Sequence, residues 1–194
     1  MYKRIFDFTF SLLFLISFSW WLHIIISIGI KLSSKGSILY RQKRVGQDGL
    51  YFYCIKFRTM TASLHAPSSI TKKNDPRIFS FGAFLRRSNL DEIPQFINVL
   101  LGDMSLVGPR PHMILEDDML AEQLSKYRMR HWVKPGITGL AAIKGYRGGT
   151  EDMGLMQKRI DYDVEYVQSW SLWLDFKICV LTVTETLLGK GKGS

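Results

Sequence analysis

"FTFSLLFLISFSWWLHIIISIGI", residues 8–30, holds no Asp, Glu, Lys or Arg and is mostly apolar. As a helix rising about 1.5 Å per residue, it is long enough to cross a hydrocarbon core about 30 Å thick. A cleaved signal peptide would have a shorter apolar region and a small-residue cleavage site. Neither is evident, so the segment is expected to stay as an anchor. Residues 1–32 form the expected membrane element and residues 33–194 one further domain. The flanks complicate a simple span. Lys3 and Arg4 precede the run, and Lys31, Lys35, Arg41, Lys43 and Arg44 follow it. Lys and Arg favour the cytoplasmic side, and here both ends qualify. A helix that enters the bilayer, bends and returns keeps both ends in the cytoplasm; a single span oriented by the larger C-terminal cluster is the alternative.

The rest of the chain is the size of one domain. A net charge of +9 across 194 residues points to an anionic partner: acidic lipid, nucleic acid or a phosphorylated small molecule. The basic residues lie beside acids and turns and form no stripe with stacking aromatics, which argues against nucleic acid. Cys54 and Cys179 are far apart, with no C-x-x-C and no metal-ligand cluster. They read as packed thiols, and a disulfide framework is not expected.

Residues 38–42 and 50–57 are rich in Tyr, Phe and Ile, and "VGQDG" between them supplies a hairpin turn. Residues 62–76 carry Pro, Ser, Thr, Asn and Lys without periodicity and read as a loop. Residues 77–101 look helical with a break near Ser88–Glu92. "GDMSLVGPRPH" reads as a turn-rich connector, 114–132 as helix, and "KPGITGLAAIKGYRGGT" as a Gly-rich loop. Residues 153–170 return to helix, with Ile160, Val164 and Val167 on one face. The aromatic C-terminal stretch fits either an amphipathic helix at headgroup level or a buried core helix. The pattern predicts a mainly α, α+β fold with a small β-hairpin.

Within it, "SNLDEIPQF", residues 88–96, sets Asp91 and Glu92 side by side before Pro94. Proline is tolerated only in a helix's first turn. Asp91 is therefore expected as the N-cap with Pro94 at N3, at the positive end of the helix dipole. An acid at a helix start usually does no more than begin the helix. Cationic side chains change the odds: Arg86 and Arg87 precede the pair, "GPRP" holds Arg110 between two prolines, and Lys56 and Arg58 sit in "KFRTM". Flanking prolines stiffen the backbone of Arg110, which suits a guanidinium that must meet a phosphate in fixed geometry.

The chain resembles the bacterial sugar transferases, the monotopic phosphoglycosyl transferases. The resemblance runs through "KRIFDF" at 3–8, "SKGSILYRQKRVG" at 34–46, "KFRTM" at 56–60, "DPRI" at 75–78, "LRRSNLDEIPQFINVLLGDMSLVGPRP" at 85–111, "VKPGITGLA" at 133–141 and "WSLWLDFKI" at 170–178. It implies transfer of a sugar 1-phosphate from a UDP-sugar to undecaprenyl phosphate at the cytoplasmic face of the bacterial inner membrane, with release of UMP. It implies that Asp91 is the nucleophile, Glu92 its partner, and Mg²⁺ the cofactor, bound at Asp91. Arg86 and Arg110 are expected near phosphate, with Lys56, Arg58 and Arg147 completing the substrate-binding cations. Anionic lipid headgroups are a further expected partner. A re-entrant N-terminal helix and interfacial amphipathic helices on a compact cytoplasmic domain also follow from the resemblance.

Two departures stand out. The family usually breaks the N-terminal helix at Ser-Pro, where this chain has Ser19-Trp20, so a kink must come from Ser17 and Ser19 bonding back to carbonyls or from packing. The family's Gln and Asn after "GITGLA" are Ala142 and Lys144 here. "GPRPH" and "KGYRGGTEDMGLMQKRIDYDVEYV" resemble the subgroup that transfers glucose or galactose 1-phosphate, with N-acetylated or deoxyamino sugars open. An inactive basic membrane scaffold and a Mg²⁺-dependent polyprenyl-diphosphate phosphatase are the competing functions.

Overall fold

The structure, a computed structural model, describes residues 1–61, 75–147 and 152–188. Most of the loop expected at 62–76 lies outside the described residues. Helix α1 (Tyr2–Phe14) passes through a π-helical turn (Leu15–Ser19) into α2 (Trp20–Ser33). Together they form one helix long and apolar enough to cross a membrane. The π turn falls where the family pattern has its break, and such single turns interrupt the i→i+4 ladder. Ser17 bonds back to the Leu13 carbonyl at 2.7 Å, as expected. Ser19 does not: its buried hydroxyl has no hydrogen-bond partner among the described residues, and its carbonyl is met by Nδ1 of His23 at 2.7 Å.

One side of this long helix lies on the domain. Phe14 stacks on Phe96 at 4.2 Å between ring centroids, and Ile26 and Ile30 pack with Phe57, Leu85 and Ile93. The other side leaves Phe10, Leu13, Ile16, Phe18, Trp20, Ile24 and Ile28 exposed. An apolar surface of that extent marks a contact with lipid or protein.

Strands β1 (Leu39–Val45) and β2 (Tyr51–Phe57) pair antiparallel, with Asp48 and Gly49 at positive φ in the turn. Helix α3 (Ser80–Arg87) ends at the break expected near Ser88, and α4 (Gln95–Leu101) resumes beyond Pro94. The connector expected at 102–112 contains strand β3 (Ser105–Val107), and the expected Gly-rich loop contains β4 (Gly136–Thr138), its parallel partner, and the short α6 (Leu140–Ile143). These strands escape a pattern reading because three residues between Gly and Pro show no alternation. Helix α5 (Ile114–Gln123) is shorter than expected, since Tyr127–Trp132 forms 3₁₀ turns.

Helix α7 (Met153–Ser169) buries Ile160 and Val164, and α8 (Leu172–Leu187) closes the core. Helix α8 has a buried side, as a core helix would, and an exposed apolar side. Asp175 and Ile178 are buried, while Trp173, Phe176, Val180 and Val183 stay exposed. The fold is α+β, mostly helical, with small sheets.

Candidate active site

The Asp-Glu pair lies in a 3₁₀ turn (Leu90–Glu92), not at the start of α4. Asn89 enters it at φ 56, a left-handed conformation that Asn tolerates. Glu92 and Ile93 donate to the carbonyls three residues back, but Pro94 has no N–H to continue the ladder. The turn therefore stays separate and α4 begins at Gln95, so Asp91 caps nothing. Neighbours in a 3₁₀ turn point about 120° apart. That separation gives the two carboxylates different surroundings.

Glu92 is buried and fully engaged. Lys56 Nζ donates to Oε1 at 2.6 Å, and Arg110 meets both oxygens, at 2.7 and 3.2 Å. Burial alone would raise its pKa, but the Arg110 and Lys56 charges and hydrogen bonds overcome this and hold it well below the usual carboxylate range. Asp91 is the opposite case. Among the described residues, no side chain or N–H donates a hydrogen bond to its carboxylate. Burial, aided by the charge of Glu92, pushes its pKa up to about 6, against the opposing pull of Lys56, Arg86 and Arg110. One carboxylate is clamped by cations, and its neighbour is kept open and more basic.

The expected cations divide into groups. Lys56 at the end of β2 and Arg110 between Pro109 and Pro111 reach Glu92 directly. Arg86 is held beside the pair by Thr59, whose Oγ1 accepts from Nε at 3.0 Å, and acts on Asp91 through its charge. Arg147 is half-buried and shares a cleft with Arg110, walled by the glycines at 108, 136 and 139 and by Thr138. Arg58 is directed elsewhere. Its guanidinium donates to the Ser34 and Lys35 carbonyls, at 2.8 and 2.5 Å, and to the Ser34 hydroxyl. It pins the end of α2 and makes no contact with the acidic pair among the described residues.

Among the described residues, no group of three His, Cys, Asp or Glu side chains could hold a metal ion. Mg²⁺ commonly uses one or two protein carboxylates, with water and substrate phosphate completing its shell. The single open carboxylate of Asp91 fits that mode; the engaged oxygens of Glu92 do not.

The residues that sequence reasoning missed lie behind Arg110. Arg130, Asp163, His112 and Tyr127 are all buried. His112 directly follows Pro111, but Tyr127, Arg130 and Asp163 stand far from it in sequence, so no local spacing announces the group.

Residues 1–189 match the family described as bacterial sugar transferase. The chain is 48% identical over 170 residues to a UDP-glucose:undecaprenyl-phosphate glucose-1-phosphate transferase of Xanthomonas campestris pv. campestris, covering 87% of this chain and 35% of that protein. It is 46% identical over 191 residues to the protein of the same name from Klebsiella pneumoniae, covering 98% and 41%. It is also 43% identical over 196 residues to the exopolysaccharide production protein PSS of Rhizobium leguminosarum bv. phaseoli, covering 98% and 97%. The chain thus spans less than half the length of the two glucose-1-phosphate transferases.

Proposed function

The chain belongs to the bacterial sugar transferase family, and we propose that it transfers a sugar 1-phosphate from a UDP-sugar to undecaprenyl phosphate through a covalent intermediate on Asp91. The observation that carries this reading is the contrast within the acidic pair. A nucleophile must be ionised at working pH yet free of partners that would hold its lone pairs, and Asp91 meets both conditions. Its carboxylate oxygen forms a bond to the β-phosphorus of the UDP-sugar as the bond to the bridging oxygen breaks and UMP leaves. An oxygen of the lipid phosphate then attacks the same phosphorus, and Asp91 departs as a carboxylate. The product is the undecaprenyl-diphosphate sugar.

Glu92, locked between Lys56 and Arg110, is no general base. It holds two cations in place beside the reacting phosphate, where fixed positive charge counts most in a water-poor site. Arg86 and Arg147 supply further charge for the nucleotide diphosphate. Mg²⁺ held by Asp91 would neutralise charge developing on the phosphate oxygens. Glucose is the sugar the two longer relatives' names suggest.

The N-terminal helix is read as re-entrant, with the domain on the cytoplasmic face of the inner membrane. Support comes from its two ends, which dock on one body. Near the start, Lys3 pairs with Asp175 at 2.6 Å and Asp7 accepts from the Ser105 hydroxyl and the Leu106 N–H. At the other end, Ser34 and Lys35 hold Arg58. A single span would put one end about 30 Å away across the hydrocarbon. Re-entry also sets the site at headgroup depth, where a soluble nucleotide and a lipid phosphate can both reach it.

Incubation with a panel of UDP-sugars, undecaprenyl phosphate and Mg²⁺ is expected to release UMP with at least one sugar, and Asp91→Asn is expected to leave no phosphosugar adduct by mass spectrometry. Absence of UMP with every sugar would sink the transferase reading, and an adduct on another residue would move the nucleophile. Single cysteines at positions 2 and 35 are expected to label from the same side of the membrane; labelling from opposite sides would exclude re-entry.

A further inference from the structure

Arg110 sits between two prolines, and each carbonyl of the Pro109–Arg110–Pro111 segment accepts a hydrogen bond. Gly136 N–H donates to Pro109 at 2.9 Å, Arg130 Nη2 to Arg110 at 2.5 Å, and Arg44 Nη1 to Pro111 at 2.6 Å. Two of these three donors are guanidinium groups that touch no carboxylate of the acidic pair. Arg130 is the more constrained. Its Nε and Nη2 donate to one oxygen of Asp163 at 3.2 and 2.8 Å, and its Nη1 lies 3.2 Å from the Tyr127 hydroxyl and 3.1 Å from Nδ1 of His112. The Tyr127 hydroxyl donates to Asp117 at 2.7 Å, and His131 Nε2 lies 3.0 Å from the same Asp117 oxygen.

Burying a guanidinium and several partners is costly unless every group is satisfied in fixed geometry. A buried ion pair contributes little net stability over apolar packing, so its best-attested use is to fix one arrangement. Here the arrangement it fixes is the backbone that carries Arg110. The flanking prolines fix φ at 109 and 111 and narrow the conformations of Arg110, but leave its peptide plane some residual tilt. The Arg130 hydrogen bond removes that freedom. Asp163 in turn prevents Arg130 from swinging toward the cleft that Arg110, Arg147 and Asp163 line.

We propose that Arg130, held by Asp163, is a positioning residue that acts through Arg110, aiming its guanidinium at Glu92 and at the reacting phosphate. The consequence for catalysis rests on the transferase reading; the consequence for the backbone does not.

Two measurements test it. The first is hydrogen–deuterium exchange of the peptide spanning residues 105–113, in wild type, Arg130→Lys and Asp163→Asn. Lysine keeps the charge facing Asp163 but cannot reach the Arg110 carbonyl and the carboxylate together, so exchange there is expected to rise about tenfold while distant helices are unchanged. Unchanged exchange at 105–113 in both variants would overturn the proposal, whatever the activity. The second is a double-mutant cycle on UMP release. Arg110→Ala is expected to lower kcat by about 10²-fold. Arg130→Lys is expected to lower kcat about tenfold with KM within about twofold, and the double variant to match Arg110→Ala within about twofold. Losses that multiply to about 10³-fold would mean that Arg130 acts independently, and would overturn it. Should wild type release no UMP from any UDP-sugar, the transferase reading fails and the exchange result alone decides the positioning role.

Discussion

Replacing Asp91, the proposed nucleophile, should make the protein more stable. Asp91 is only 8% exposed, and its pKa stands at about 6 where an ordinary aspartate has 3.8. The folded chain therefore keeps a proton that the unfolded chain has released between those two values, and stability falls as pH rises through that window. Above about pH 6 the whole cost is in place, about 3 kcal/mol. Asn carries no charge at any pH, so Asp91→Asn should recover about 3 kcal/mol at pH 7.5 but only about 1 kcal/mol at pH 4.5. For a chain of this size, about 2–4 °C per kcal/mol, the gain at pH 7.5 is roughly 6–12 °C in Tm. Unfolding followed by tryptophan fluorescence in detergent, with EDTA present so that no metal offsets the charge, gives the comparison. A variant no more stable than wild type at pH 7.5, or one whose gain is the same at both pH values, would refute the account of Asp91 as a buried carboxylate held at a cost.

Further outcomes follow from the same geometry. If Asp91 attacks in its ionised form, as proposed, kcat/KM should fall about tenfold per pH unit below about 6 and level off above it; a limb near pH 4 in stopped assays of UMP release would count against the raised pKa. Arg58→Ala should lower Tm, through loss of its bonds to Ser34 and Lys35 worth roughly 1.5–3 kcal/mol, yet leave the turnover of the folded enzyme within a few-fold. Lys56→Ala should do the reverse, lowering turnover more than Tm, and steady-state kinetics beside thermal melts separates the two lysine and arginine roles. At Gly82 an added Cβ would strike the Thr59 carbonyl, coming within 2.8 Å of its carbon. Gly82→Ala should cost about 1–3 kcal/mol and lower activity by moving the hydroxyl that holds Arg86, as melts and UMP release would report.

The apolar run, the hairpin and the break before Pro94 are legible because each rests on a local rule: hydropathy, alternation, a missing N–H. The two short strands are not, because their hydrogen bonds join Ser105–Val107 to Gly136–Thr138 across a segment that holds α5 and the 3₁₀ turns, and neither strand carries a period of its own. Lys56 and Arg58 illustrate the limit within a single motif. Strand alternation sets residues two apart on the same face, so one more strand residue would set Arg58 beside Lys56. Arg58 lies one residue past the end of β2, and its guanidinium is captured by the Ser34 and Lys35 carbonyls. Such capture depends on where another segment ends, and no spacing within "KFRTM" reports it. The Arg130–Asp163 pair is hidden for the same reason.

The division of labour between Asp91 and Glu92 follows from the turn they occupy. Were Asp91 the N-cap of α4, its carboxylate would accept from backbone N–H groups two or three residues on, and those bonds would lower its pKa and occupy the lone pairs that the proposed attack on phosphorus needs. Pro94 prevents this by removing an N–H and ending the turn early. The pair then sits in a tight 3₁₀ turn, where a step of about 120° sends Glu92 toward Lys56 and Arg110 and leaves the Asp91 carboxylate unbonded among the described residues. The proline that first reads as fixing a helix start instead keeps the helix from claiming the carboxylate.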